Sequence, residues 1–328
     1  MISIEDLNFP SHSDQDQMTH DSGLFKNLKL TGELAGKCLV IRNNKIILGD
    51  LEDEKVAVDF LRSNIHVYHP HSQSGTIVFY DYGSRRTQKA SFEGGNYFFE
   101  LCKAVKILTK KRCKVAYSFS FDKSVLPIKF YRPYDFIRDD VEIIGFNNVS
   151  YLKSKTDLEN LNIIFNHFVK LPIHNGINHN RLMNAVLNND RAQDEYWIHL
   201  KITLFFIALE SLFSDSEKAE LSYKVSLRAA SLLYPEDKKR KLEAFSFLKV
   251  AYDIRSKFLH GSKVDLSLIG KKLKGKTDDY IISLHLPEEL NSIISDIIKK
   301  IVFDEELFQL FTDGNEKKIS EYFDKLVL

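Results

Sequence analysis

The sequence predicts an α+β protein in two parts: a mixed α+β domain over residues 1–150 and an all-α helical bundle over 155–328. Three observations carry this expectation. Short β-branched and aromatic runs separated by turn residues fill the first half, and apolar residues at helical spacing take over near residue 155 and persist to the end. The chain of 328 residues, 44% hydrophobic and 28% charged, is also long enough to bury two cores.

In the first half, CLVIRNNKIILG (38–49) reads as a hairpin around Asn43-Asn44, because asparagine tolerates the positive φ of a tight turn. GTIVFYDYG (75–83) is a strand closed by glycines, VAYSFSF (115–121) alternates with period two, and VEIIGF (141–146) is a weaker strand. One helix interrupts them over 96–112, with Phe98, Leu101, Val105 and Leu108 on one face and Lys110, Lys111 and Arg112 at its C-terminal end.

The second half reads as successive helices. Thr156 and Glu159 form a capping-box pattern before Leu161, Ile164, Phe165 and Phe168. Further helices are expected over 178–189, 193–213 and 217–233, the second with an apolar stripe of Trp197, Ile198, Ile202, Phe205, Leu209 and Leu212. Pro235 suits the first turn of a helix over 236–260 that Gly261 terminates. A polar loop over 262–281 surrounds Lys271, Lys272 and Lys274, Pro287 opens a helix to about 302, and a shorter helix ends the chain. Such stripes bury one another only as a bundle.

Composition excludes several classes. Forty-six basic residues against 45 acidic ones leave a net charge of +1, so there is neither an acidic tail nor a globally basic nucleic-acid coat. The longest apolar stretch, Ile202–Leu209, is far too short for a bilayer, so no membrane partner is expected. The segment MISIEDLNFPSHSDQDQ is acidic and polar, unlike a signal peptide, and Cys38, Cys102 and Cys113 form no disulfide ladder or CxxC pair. A cytoplasmic location is therefore expected.

The segment AYDIRSKFLHG (251–261) carries the candidate chemistry. Arg255 and His260 lie five positions apart, about 140° around an ideal helix, so they do not share one face unless the last turn loosens at Gly261. Across a two-fold axis, two such helix ends would bring two arginines and two histidines to one groove. Histidine, with an ordinary pKa of about 6.5, suits proton transfer near neutrality, and the fixed donor fork of arginine suits a phosphate.

FFIALESLF (205–213), ELSYKVSLRAASLL (220–233) and YDIRSKFLHG (252–261) together resemble the HEPN superfamily, in particular its Apea-like group from prokaryotic antiviral and abortive-infection systems. The resemblance spans about 193–300. Its Arg-x4–6-His ribonuclease motif falls on Arg255 and His260. What it implies is a metal-independent endoribonuclease toxin that works as a homodimer, needs no cofactor, and cuts RNA, with tRNA an attractive target. Glu210 is the matching upstream acidic residue, and Ser256 stands where the superfamily often has Asn, Asp or His. Ser256 and Lys257 are secondary site candidates. A phage-derived or protein trigger is implied too, with the first domain as sensor or RNA-positioning element.

Each residue also has a plain structural account. His260 beside Gly261 suits a helix C-cap, Arg255 a boundary salt bridge, and Glu210 an ion pair with Arg255 or Arg228. Two other classes therefore stand beside the nuclease: a catalytically silent HEPN module for dimerisation or nucleic-acid binding, and a protein-interaction or structural factor.

Weaker signals complete the survey. His66, His69 and His71 are dense, but Pro70 prevents a helical metal motif and no carboxylate partner is near in sequence; His167, His174 and His179 show no ligand spacing. Arg85, Arg86, Lys110, Lys111 and Arg112 offer an RNA-binding patch with Tyr80, Tyr82 and Phe92 interleaved, against the plain account of a solvated face. Lys238, Lys239 and Arg240 offer a second basic cluster that steers RNA.

Overall fold

The computed structural model describes residues 33, 37–42, 45–50, 78–80, 88–111, 118–122, 125–131, 152–171, 180–215, 220–264, 269–270, 279–313 and 315–327. Strands β1 (Lys37–Arg42), β2 (Lys45–Asp50) and β3 (Val78–Tyr80) come first, followed by helix α1 (Gln88–Thr109) and strands β4 (Ser118–Asp122) and β5 (Val125–Tyr131). Helices α2 (Lys155–Lys170), α3 (Arg181–Asp194), α4 (Ile198–Phe213), α5 (Leu221–Leu233), α6 (Lys238–Leu259), α7 (Asp279–Phe303), α8 (Glu305–Asp313) and α9 (Glu316–Val327) follow. Contacts divide the chain into two compact units, one of 1–86, 121–127 and 142–158, the other of 87–120, 128–141 and 159–328.

In the first unit the expected hairpin is present. β1 and β2 pair antiparallel with Arg42 opposite Lys45, which leaves Asn43 and Asn44 as the connection. β3 joins the other side of β1 in parallel, Val40 opposite Phe79. β4 overlaps the expected strand 115–121 and pairs with β5, whose Pro127 makes VLPIKFY a poor strand by sequence. The expected strand 141–146 lies outside the described residues.

The second unit is a helical bundle centred on α4, which packs on α3, α5, α6 and α7. Ile202, Phe205, Phe206, Ala208, Leu209, Leu212 and Phe213 of α4 are all buried, an apolar face about 160° wide at about 100° per residue. The expected helix 193–213 is two helices meeting at a break: α3 continues to Asp194, and Glu195 then accepts the backbone N–H groups of Tyr196 and Trp197 at 2.8 and 2.9 Å. Trp197 consequently precedes α4 and is 53% exposed, outside the buried stripe assigned to it. At the other end of α4, Arg181 donates to the Ser214 carbonyl at 2.6 Å and Arg228 to the Phe213 carbonyl at 2.7 Å. Two guanidinium groups thus satisfy carbonyls at the negative end of the helix dipole. Arg228 also pairs with Asp215 at 3.0 Å and lies over the Phe323 ring, which fastens α5 to α9.

Helix α1 departs most from expectation. It begins at Gln88 rather than 96, running through Gly94 and Gly95, and it packs on α3 and α7. It therefore belongs to the helical unit, and the described residues do not support a separate α+β domain over 1–150. Its anchor is Lys106, 3% exposed, whose ammonium bonds Asp190 at 2.8 Å and Asp194 at 2.9 Å on α3. Burial opposes the charge on Lys106, but the two carboxylates outweigh it and hold its pKa above the ordinary lysine value. Lys110 ends α1 in a left-handed conformation, φ 60°, and its ammonium reaches Asp296 at 2.7 Å and Ser292 at 2.9 Å on α7.

Three helix starts are also corrected. α6 begins at Lys238 with Asp237 as its N-cap, the Asp237 side chain accepting the Arg240 N–H, so Pro235 lies before the helix and not in its first turn. α2 is capped by Ser154 and Asp157, not Thr156 and Glu159: Ser154 Oγ accepts the Asp157 N–H, and Asp157 accepts those of Lys153 and Ser154. The Lys153 and Ser154 bonds outweigh a small burial cost and lower the Asp157 pKa. α7 begins eight residues before Pro287, which sits inside it. An interior proline costs about 3 kcal/mol; burial of Ile282, Leu286 and Leu290 around it offsets that. Among the described residues no helix is long and apolar enough to cross a membrane.

The Lys106 cluster sets an ordering that urea unfolding can check. Asp190→Asn combined with Asp194→Asn strands a buried ammonium and is expected to cost about 3–5 kcal/mol. Lys106→Met is expected to cost less, because Asp190 and Asp194 are 25% and 34% exposed and can rehydrate.

Candidate active site

Glu210 lies in the last turn of α4, and Tyr252 and Arg255 lie one turn apart on the facing side of α6. Tyr252 donates its hydroxyl to Glu210 Oε1 at 2.9 Å, and Arg255 Nη2 approaches the same oxygen at 3.7 Å. The first is a good hydrogen bond; the second is an ion pair too long to be one. The Arg255 guanidinium carbon stands 5.3 Å from the Tyr252 ring centre, within cation–π range, and that ring meets buried Phe206 edge-on at 5.1 Å. A carboxylate on a mostly apolar helix is thereby bonded and partly neutralised. Glu210 and Arg255 side chains keep 21% and 17% exposure, and the Arg255 Nε is buried without a hydrogen-bond partner.

Burial and the hydrogen bond to Glu210 push the Tyr252 phenol up to about 12, with Arg255 opposing the shift. Tyr252 therefore stays a neutral donor throughout the ordinary pH range. It was not among the sequence candidates. Its position three residues before Arg255 on one helix face is the signal that points to it. Arg228, the alternative partner considered for Glu210, is instead engaged at Phe213 and Asp215.

His260 lies elsewhere. It is the exposed C-cap of α6, φ −91° and ψ 5°, followed by Gly261 at φ 65°. Gly261 N–H bonds the Phe258 carbonyl at 3.2 Å and Ser262 N–H bonds that of Lys257 at 2.9 Å. This pair of bonds is a Schellman motif, and its left-handed position explains the glycine. The Ser256 carbonyl accepts the His260 N–H at 3.1 Å; Lys257 and Asp253 are exposed. No hydrogen bond or ion pair joins Arg255 to His260 among the described residues: the arginine turns toward α4 while the histidine stands at the capped end.

The basic candidates scatter. Arg85, Arg86 and Arg112 lie outside the described residues, as do His66, His69, His71, His174, His179 and the lysines of 271–274. Lys110 is engaged with α7 and Lys111 is exposed. Lys238, Lys239 and Arg240 are exposed in the first turn of α6, with Arg240 over the Tyr234 ring at 4.3 Å. At 1.5 Å per residue they are roughly 30 Å from His260 of the same chain. His167 packs on Phe308 at 4.1 Å, and burial lowers its pKa. Among the described residues no three His, Cys, Asp or Glu side chains gather as a metal site.

No protein-family model, curated protein or solved structure matches this chain.

Two measurements check the geometry. Because the Tyr252 pKa is raised, its contribution to stability is present below about pH 10 and lost as pH rises toward 12. Glu210→Gln should bring that pKa down toward the ordinary tyrosine value, visible by subtracting ultraviolet titrations of matched Tyr252→Phe variants. Gly261→Ala should cost about 1 kcal/mol in thermal unfolding through its positive φ alone, since nothing lies within 4 Å of an added Cβ, and Gly261→Asn should cost less.

Proposed function

We propose that the chain is a HEPN-like, metal-independent endoribonuclease acting as a homodimer, a cytoplasmic toxin of antiviral abortive-infection defence. The observation that carries the reading is the coupling of Glu210, Tyr252 and Arg255 on the α4–α6 seam, close in the chain to an exposed His260 at a glycine-capped helix end. Every member of the sequence motif is then accounted for: the arginine is braced by a carboxylate, and the histidine is open to a ligand.

In this reading His260 takes the proton of an RNA 2′-hydroxyl. The 2′-oxygen bonds to phosphorus, the P–O5′ bond breaks, and the departing 5′-oxygen takes the proton from the His260 imidazolium, which returns the histidine to its starting form. The products are a 2′,3′-cyclic phosphate and a 5′-hydroxyl end. Arg255 holds the phosphate charge, and Glu210 with Tyr252 positions Arg255. Since Arg255 and His260 of one chain point apart, a partner's motif across a two-fold axis completes the groove. The strand-bearing unit is proposed as part of an α+β sensor that restrains the toxin until a phage or protein trigger arrives.

One observation favours the catalytically silent HEPN module. Glu210 is fully explained as the structural partner of Tyr252 and Arg255, and the Schellman bonds use only backbone at His260.

Incubation of end-labelled tRNA and mRNA with the full chain in EDTA separates the readings. Cleavage to cyclic-phosphate ends that drops at least about a hundredfold in His260→Ala is the expected result. Cleavage that survives that change, or that needs magnesium, overturns the mechanism.

A further inference from the structure

The sole tryptophan of the chain, Trp197, is 53% exposed, and its neighbour Tyr196 is 63% exposed. Large aromatic side chains usually bury most of their surface, so two adjacent exposed ones invite a ligand. These two are not on a loose strand of backbone. Glu195 holds both of their backbone N–H groups at 2.8 and 2.9 Å, and the rings pack edge to face at 5.2 Å between centres. From Trp197 the series continues to His199 at 6.2 Å and on to Phe258 at 6.3 Å. Phe258 is two residues before His260.

Lysines flank this end of α6. Lys257 and Lys263 are exposed there beside His260; of the nearby acids, Asp194 pairs with Lys106, Glu195 accepts two backbone N–H groups, and Asp253 stands about a turn further back on α6. Beside these rings, among the described residues, Leu200 and Leu259 are the exposed aliphatic side chains, so the surface is a set of flat rings edged by lysines rather than a continuous greasy face. Flat, partly polar rings beside lysines suit unpaired bases, which offer π-faces whatever their identity, better than they suit an apolar helix. A duplex hides those faces inside its own stack.

We propose that Tyr196 and Trp197 form a stacking platform for unpaired RNA bases next to the strand that reaches His260. The choice of nucleic acid rests on the ribonuclease reading, and the substrate class it adds is single-stranded RNA taken with little base preference. Trp197 is the contacting ring, Tyr196 its brace, and Glu195 the positioning residue for both.

Because Trp197 is the only indole, its emission reports on this surface alone. The full chain in EDTA and low salt is titrated with a 2′-O-methyl oligonucleotide of roughly ten residues, which lacks the free hydroxyl that cleavage needs. Saturable quenching by the single strand, several-fold weaker for its duplex, is expected. With a dye-labelled oligonucleotide followed by anisotropy, Trp197→Ala should weaken binding at least about fivefold while Trp197→Phe keeps most of it. The proposal is overturned by absent quenching, by equal affinity for the duplex, or by Trp197→Ala binding as tightly as the wild type. It is also overturned if emission shifts on dilution without RNA and Trp197→Ala turns a dimer into a monomer in sedimentation, which assigns the surface to a second copy. Quenching without cleavage would uphold the platform while giving the nuclease reading no support; His260-dependent cleavage unchanged in Trp197→Ala would uphold the nuclease reading and overturn the platform.

Discussion

A single carboxylate on the central helix governs the geometry of the candidate site. α4 is buried along most of its length, and Glu210 is its one acidic residue, placed near the C-terminus where the helix dipole already disfavours negative charge. Such a group must be bonded and neutralised, or it would destabilise the helix on which the bundle is packed. Tyr252 and Arg255 meet that requirement from α6, while Arg181 and Arg228 satisfy the carbonyls just beyond. The same contacts that make Glu210 tolerable fix the rotation of α6 about its own axis. That rotation decides which of its side chains face α4 and which face solvent.

The motif residues are therefore divided by construction. With Arg255 turned inward, a residue five positions on lies about 140° around the helix and cannot also face α4. His260 is left at the end of α6, where Gly261 turns the chain out of the helix and the Schellman bonds consume only backbone groups. The imidazole has no hydrogen-bond partner among the described residues. One helix thus presents a braced cation on one side and a free imidazole at its tip. A ligand that needs both must come to the tip of the helix, which is also the end where the exposed rings of Tyr196 and Trp197 stand.

Much of the helical unit is legible in the sequence because its signals are local. Gly261 ends α6 as a glycine after a helix does, and the hairpin of β1 and β2 is written in Asn43-Asn44 between two apolar runs. What escapes is set by partners distant in sequence. Nothing within α1 announces that Lys106 will meet Asp190 and Asp194, more than 80 positions away. Yet that cluster, with Lys110 on Asp296, makes α1 part of the bundle rather than of an N-terminal domain. The break before α4 escapes for a different reason: Glu195 caps from a position that helical periodicity alone reads as helix interior, so Trp197 was counted with the core stripe. Pro287 misleads similarly, since proline marks a helix start only when tertiary burial does not outweigh its cost.

The site itself shows the same division. Arg255 and His260 are recoverable from residue type and spacing, and Glu210 from the family resemblance and its place in an apolar stripe. Tyr252 is not, because a tyrosine on the inner flank of an amphipathic helix looks like core. It becomes a site residue only when its hydroxyl is seen to donate to Glu210, which leaves Arg255 a long ion pair of 3.7 Å to that carboxylate and a cation–π contact with the Tyr252 ring. A guanidinium gripped by a short bidentate carboxylate would be saturated and unavailable to phosphate. By taking the strong hydrogen bond itself, Tyr252 gives half-buried Glu210 a partner and leaves Arg255 without a short carboxylate bond. That balance, more than the presence of any one motif residue, is what the proposed phosphate contact at Arg255 depends on.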